Sequence, residues 1–198
     1  MLRLLVLSTL LTMNSACASH RPIDADNNVV RMPSHTFTIP LDRGWMGQEL
    51  PGPQQTQLQF EDGLNLYRVG VFLRPVEDPE MQALPADELA ALYFRLEEKR
   101  MRKADGGRYE LRDLVTGTEE LGGRLFHTCS YTAAADDFAA QTFLFLRIPF
   151  EQGNAAAVAV ELRQASLHGP PLEADPARLA DARAIAASLV LEEASFVP

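Results

Sequence analysis

Two residues of this sequence have the types and the spacing that nucleophilic or metal chemistry requires. Cys129 and His127 are two positions apart in an apolar run that predicts a β-strand, so their side chains share one face of that strand. A thiol beside an imidazole can act as a nucleophile–base pair, and with a third ligand the two residues could bind a metal ion. We favour a simpler interpretation, in which Cys129 packs as a small apolar side chain beside a partly buried histidine.

Other familiar catalytic motifs are absent from the sequence. It contains no H-E-x-x-H, C-x-x-C, G-x-S-x-G or glycine-rich phosphate loop. The acid pairs Glu119-Glu120 and Asp136-Asp137 are adjacent, so in an extended chain their side chains point apart, and we predict that they are solvated. The charged run from Glu97 to Lys103 is predicted to be the solvent-facing side of a helix. We therefore expect no enzyme activity, no metal and no cofactor.

The first residues have the features of an export signal. Arg3 supplies a positive charge, Leu4 to Met13 form a short apolar run, and small residues precede Cys17. An apolar run of this length is too short to span a bilayer as a stable helix, and it is typical of a signal peptide. We predict that residues 1–16 are the signal peptide.

Ser15-Ala16-Cys17 resembles the lipobox of bacterial lipoproteins, in which small residues precede the cysteine that carries the lipid. The resemblance implies a diacylglycerol thioether on Cys17 and an N-acyl chain such as palmitate, which together hold a protein firmly on a bilayer. Ala18 replaces the aspartate that retains such proteins at the inner membrane, which implies the outer membrane, facing the periplasm. An ordinary signal peptidase that recognised Ala16-Cys17-Ala18 would instead release a soluble protein, and this alternative stays open.

The remaining chain divides into a tether and one domain. Residues 17–34 are polar and without periodicity, which predicts a flexible tether. Residues 35–198 are long enough to bury a core, and the chain is 46% hydrophobic and 23% charged, a balance typical of globular domains. The net charge of −9 argues against a nucleic-acid partner.

Hydrophobic periodicity predicts an α+β domain. Four strand-like segments lie between Tyr109 and Ala165, and turn residues such as Gly122-Gly123 connect them into an antiparallel meander sheet. A last helix is expected after Asp175-Pro176, where aspartate caps the free amides and proline fits the first turn. A middle helix begins near Asp87, and its apolar side is expected to comprise Leu89, Leu92, Tyr93 and Leu96. Because these helices must bury their apolar stripes, they should flank the sheet.

Three features of this pattern resemble the PsbP-like fold, whose members include bacterial lipoproteins. They are an opening strand with proline and Gly-Trp (Phe37 to Pro40, then Gly44-Trp45), the middle amphipathic helix, and a closing meander with a C-terminal helix that ends in Ser188-Leu189-Val190-Leu191. The resemblance covers Thr36 to Leu191 and implies an α/β/α sandwich. Most such domains are accessory binders of larger assemblies, so the resemblance implies binding rather than catalysis.

Trp45 is the binding residue that the sequence suggests, because tryptophan is frequent at interaction hot spots. The alternative, which we favour, is that Trp45 closes one end of the core. Together the observations predict a non-catalytic, lipid-anchored envelope protein that contacts the membrane through Cys17 and binds another envelope component. The other hypotheses are a periplasmic carrier or sensor of a small apolar ligand, and a hydrolase with Cys129 as nucleophile and His127 as base.

Overall fold

The structure is a computed structural model that describes residues 28–31, 35–40, 45–49, 55–61, 65–75, 78–136, 138–148, 150–151, 154–166 and 173–191. The predicted signal peptide, Cys17 and most of the predicted tether lie outside these residues. Within the described ranges, no helix is both long and apolar enough to cross a membrane.

Antiparallel strands form most of the described chain. In chain order they are β1 (Val29–Arg31), β2 (His35–Thr38), β3 (Met46–Glu49), β4 (Gln55–Glu61), β5 (Asn65–Pro75), β6 (Glu110–Leu121), β7 (Arg124–Ala135), β8 (Phe138–Arg147), β9 (Phe150–Glu151), β10 (Asn154–Ser166) and β11 (Val190–Leu191). The larger sheet has the order β3-β4-β5-β10-β8-β7-β6, with β9 paired to β10, and a smaller sheet has the order β1-β2-β11. All strand pairings among the described residues are antiparallel, and β6–β7 and β7–β8 are joined as hairpins.

Helices α1 (Pro79–Gln82), α2 (Ala86–Lys103) and α3 (Pro176–Ser188) connect and cover these strands. The sequence Asp-Pro starts α1 and α3 alike: Asp175 Oδ1 accepts a hydrogen bond from the Ala177 amide at 2.8 Å, and Asp78 Oδ1 accepts one from the Glu80 amide at 2.9 Å. Helix α2 has acids in its first turn and bases in its last, which suits the helix dipole. A 3₁₀ turn, Ala104–Gly107, follows α2 and leads into β6.

Two apolar cores lie on opposite faces of the larger sheet, because alternate side chains of each strand point to opposite faces. Helix α3, the Leu189 that follows it, and strand β2 cover the first face. Ile185, Leu189 and Phe37 pack there against β-strand residues such as Val69 and Phe145. Helix α2 covers the second face, whose core comprises Leu89, Ala90, Met101, Cys129, Tyr131, Leu144 and Leu146. The predicted α+β class, an antiparallel meander sheet flanked by helices, is confirmed.

The start of the domain differs from the prediction. Val29–Arg31, within the predicted tether of residues 17–34, forms β1 and pairs with Thr36–Thr38. The Ile39 amide also donates to the Asn28 carbonyl at 2.7 Å. The polar composition concealed this strand, because a three-residue edge strand shows no measurable alternation. Residues 28–31, which the prediction assigned to the tether, are therefore paired with the domain.

The apolar side of α2 is also rotated from the prediction. Leu96 is 52% exposed, whereas Ala90 and Met101 are buried together with Leu89. The spacing from Ala90 to Met101 is 11 residues, close to three helical turns, so one narrow stripe connects them. Glu97 falls on this stripe, which matters for the site described below.

Candidate functional site

The structure places Cys129 and His127 on one sheet face but does not join them. Cys129 is buried in the core under α2, while His127 is partly exposed, and no hydrogen bond links the two side chains in the described part of the chain. Burial, with smaller contributions from Glu97 and Glu98, raises the pKa of the Cys129 thiol to about 11. A nucleophilic cysteine needs the opposite shift. No three His, Cys, Asp or Glu side chains among the described residues are grouped to hold a metal ion.

Cys129 should be inert to thiol reagents in the folded protein at neutral pH. A thiol with a pKa of about 11 is almost entirely protonated there, and its side chain is 3% exposed. The measurement is the rate of labelling by a disulfide reagent, with the same protein unfolded in denaturant as the control. Labelling in the folded state as fast as in the unfolded state would contradict this prediction and revive the hydrolase hypothesis.

Trp45 lies in the packed end of the first core. Its indole Nε1 donates to Asp181 Oδ2 at 3.0 Å, and the Arg178 guanidinium lies 5.2 Å from the Trp45 ring centroid and 5.6 Å from that of Tyr67. Arg178 also forms an ion pair with Asp181 at 3.3 Å, and both of these side chains are buried. Trp45 therefore uses its polar edge inside the protein, in agreement with the interpretation that it closes one end of the core.

Polar side chains form a row across the second face, beside α2. Arg68 of β5 is the direct cross-strand partner of Arg163 of β10, Arg163 is opposite Thr142 of β8, and Thr142 is opposite Tyr131 of β7. Direct partners in antiparallel strands have side chains on the same face, about 5 Å apart at Cβ. We call this row, with the acidic and basic residues that contact it, the Arg68 cluster: Arg68, Glu97, Arg100, Tyr131, Thr142, Glu161 and Arg163.

Glu97 joins α2 to this row, contrary to the prediction that it faces solvent. Its Oε1 accepts a hydrogen bond from the Tyr131 hydroxyl at 3.0 Å, and both carboxylate oxygens accept from Arg100 at 2.5 and 2.8 Å. Only 14% of the Glu97 side chain is exposed. Burial opposes ionisation of Glu97, but the hydrogen bond and charge of Arg100, with help from Tyr131, outweigh it and hold the pKa below its usual value. Glu97 is therefore an ionised carboxylate, and both of its oxygens accept hydrogen bonds.

The two arginines of the row are in different electrostatic states. Arg163 forms an ion pair with Glu161 at 2.7 Å, and the charge of Glu161 is the main cause that raises the pKa of Arg163. Arg68 forms no ion pair or hydrogen bond with any of the described residues, and its pKa is lowered by burial and by the positive charge of Arg163. The side chains of Arg163 and Glu161 are 28% and 18% exposed, so water reaches this part of the cluster.

The cluster presents hydrogen-bond donors and carboxylates that are already paired with arginines. Burial and the neighbouring Glu97 raise the pKa of Tyr131, which keeps its phenol protonated as a donor. Arginine is always charged and donates through a planar fork that fits carboxylates and phosphates. Of the other acids that were predicted to be solvated, Glu119 instead forms an ion pair with Arg183 of α3 at 2.8 Å, away from this cluster. Asp137 lies outside the described residues.

The comparisons with known proteins found similarity to solved structures. No family model matches the sequence, and no curated protein matches it. The structure is similar to the solution structure of cyanobacterial PsbP (CyanoP) from Synechocystis sp. PCC 6803, with a TM-score of 0.44 and 12% sequence identity over 91% of this chain and 96% of that one.

Proposed function

We propose that this chain is a non-catalytic, lipid-anchored protein of the cell envelope, and that its domain binds another envelope component through the Arg68 cluster. The observation that carries the proposal is Arg68 itself. It is a half-buried guanidinium beside a second arginine, with no carboxylate partner among the described residues. A partly buried charge without a counter-charge is costly for a domain alone, and a binding partner offsets that cost.

The chemistry of the cluster favours binding over catalysis. Its carboxylates, Glu97 and Glu161, are held by arginines, and its phenol donates to Glu97. The nearest thiol, Cys129, has a raised pKa. A positioned donor set with no activated nucleophile is suited to recognising a charged group on a partner.

The export signal and the lipobox support the tether. A diacylglycerol on Cys17 would hold the domain at the membrane, in our proposal the outer membrane facing the periplasm, and the intervening residues would set its reach. Tethering raises the local concentration of the domain near other envelope components, so a weak contact through one cluster is sufficient for association.

The test is chemical cross-linking in the native host, followed by pull-down and mass spectrometry. Four chains are compared: wild type, Cys17→Ala, Arg68→Gln, and the matched control Arg112→Gln, which removes an exposed arginine that pairs with Glu110 on the edge strand β6. We expect a specific envelope protein to be recovered with wild type and Arg112→Gln, and to be lost with Cys17→Ala and Arg68→Gln. If no specific protein is recovered with wild type, the proposal is contradicted. If recovery with Arg68→Gln equals that with wild type, the part of the proposal that assigns the contact to the Arg68 cluster is contradicted.

A further inference from the structure

We infer that the Arg68 cluster binds a single oxyanion, a carboxylate or a phosphate group, between Arg68 and Arg163. This inference rests on the proposed function, because it names the chemical group through which a partner would engage the cluster. It follows from three properties of the two arginines: their register, their unused donors and their balance of charge.

The register places two positive charges side by side. Arg68 and Arg163 are directly opposite each other on the central strands β5 and β10. Burial and, after it, the positive charge of Arg163 lower the pKa of Arg68. Like charges directly opposite in an antiparallel pair destabilise a sheet. An anion bound between the two guanidiniums is attracted to each of them, and these attractions offset the repulsion between the two positive charges.

The unused donors indicate where the anion would bind. The Nε atoms of Arg68 and Arg163 are both buried and have no hydrogen-bond acceptor within the described part of the protein. Buried donors are nearly always satisfied in folded proteins, and an unmatched N–H is expensive. An oxyanion accepts hydrogen bonds from two guanidiniums at once through its separate oxygens, and these charge-assisted bonds are short and strong.

The balance of charge sets the valence of the ligand. The cluster contains three arginines, Arg68, Arg100 and Arg163, and two carboxylates, which are paired with Arg100 and Arg163. One negative charge therefore neutralises what remains on Arg68. The chain as a whole carries a net charge of −9, so attraction of anions is local to this cluster and not a property of the surface.

The experiment is a titration of the full-length chain, purified in neutral detergent and labelled with ¹⁵N, with sodium acetate, sodium phosphate or sodium chloride at matched ionic strength. The readout is the NMR signal of each arginine Nε–H, assigned with the variants Arg68→Gln, Arg163→Gln and Arg112→Gln. Arg68→Lys keeps the charge but removes the guanidinium fork, and it serves as a second variant if Arg68→Gln does not fold.

We expect saturable shifts of the Arg68 and Arg163 signals with acetate or phosphate, and only weak, unsaturated changes with chloride. Affinity should fall at least about tenfold in Arg68→Gln and in Arg68→Lys, and stay unchanged in Arg112→Gln. Saturation by acetate identifies a carboxylate as the ligand group, and saturation by phosphate identifies a phosphate. If neither anion shifts these signals more than chloride does, the inference is overturned. A partner that is still cross-linked by wild type and lost with Arg68→Gln would then leave the proposed function standing.

Discussion

Acidification from about pH 7.5 to about pH 4 is expected to lower the free energy of unfolding by about 3 kcal/mol through His35 alone. His35 begins β2, is fully buried, and stacks against Phe37 with ring centroids 5.8 Å apart. Burial lowers the pKa of its imidazole from 6.5 to about 4. On acidification, the His35 imidazole is therefore protonated near pH 6.5 in the unfolded chain but only near pH 4 in the folded protein. The contribution of His35 to the free energy of unfolding is complete above about pH 6.5, and it is lost as the pH falls towards about 4.

The measurement compares urea unfolding of wild type and His35→Leu across this range. The variant removes the titrating group, so its stability should fall by about 3 kcal/mol less than that of wild type over the same pH interval. His127→Leu is the matched control, because it leaves His35 in place and should keep the wild-type loss. Equal losses for wild type and His35→Leu would show that His35 is not the acid-sensitive group.

A methyl group added at Gly122 should destabilise the protein far more than the same change at Gly123. Both glycines form the β6–β7 turn with left-handed backbone, at φ +58° and +71°. Alanine in that conformation costs about 1–2 kcal/mol at either position. At Gly122, the new Cβ would in addition collide with the backbone carbonyl of Ala187 in α3, whereas at Gly123 it would meet nothing. We expect a loss of roughly 3–5 kcal/mol for Gly122→Ala and about 1–2 kcal/mol for Gly123→Ala.

Thermal and urea unfolding of the two variants provide this comparison, and Gly123→Ala is the internal control for backbone strain. The comparison tests how the β6–β7 hairpin docks on α3 and on Leu189, the residue after it. Three contacts hold the hairpin there: the close approach of Gly122 to Ala187, the Glu119–Arg183 ion pair, and a hydrogen bond from Arg124 to the Leu189 carbonyl. Equal stability losses for the two variants would mean that the hairpin does not dock on α3 as described.

The elements of the domain were largely predictable because their signals are local. A two-residue hairpin turn needs left-handed backbone, which Gly122-Gly123 can adopt at both positions. Asp175 accepts hydrogen bonds from the first amides of α3, and Pro176 fits its first turn, so each of these signals is complete within a few residues. Strand β1 was missed because its three residues form an edge strand that depends on a partner, β2, rather than on its own pattern. The predicted signal peptide and the lipid on Cys17 remain predictions.

The candidate site was predictable only in part, because it depends on register. Arg68 alternates with apolar residues in the sequence, but nothing local indicates that it lies opposite Arg163, which is far away in sequence. Glu97 could have been found, since it is four residues after Tyr93 and four before Met101 and so lies on the same side of α2. The run of charges around it instead favoured a solvent-facing interpretation.

The smaller sheet joins the two ends of the domain and so determines when folding can finish. The Thr38 amide donates to Ser188 Oγ at 2.9 Å across 150 residues of sequence, and β11 pairs with β2. Contacts of this separation are slow to form, and they cannot form before the last part of the chain has been synthesised. Until then, Phe37 and Ile39 lack the α3 surface that buries them. A nascent or truncated chain that ends before α3 therefore presents these two side chains to chaperones and proteases.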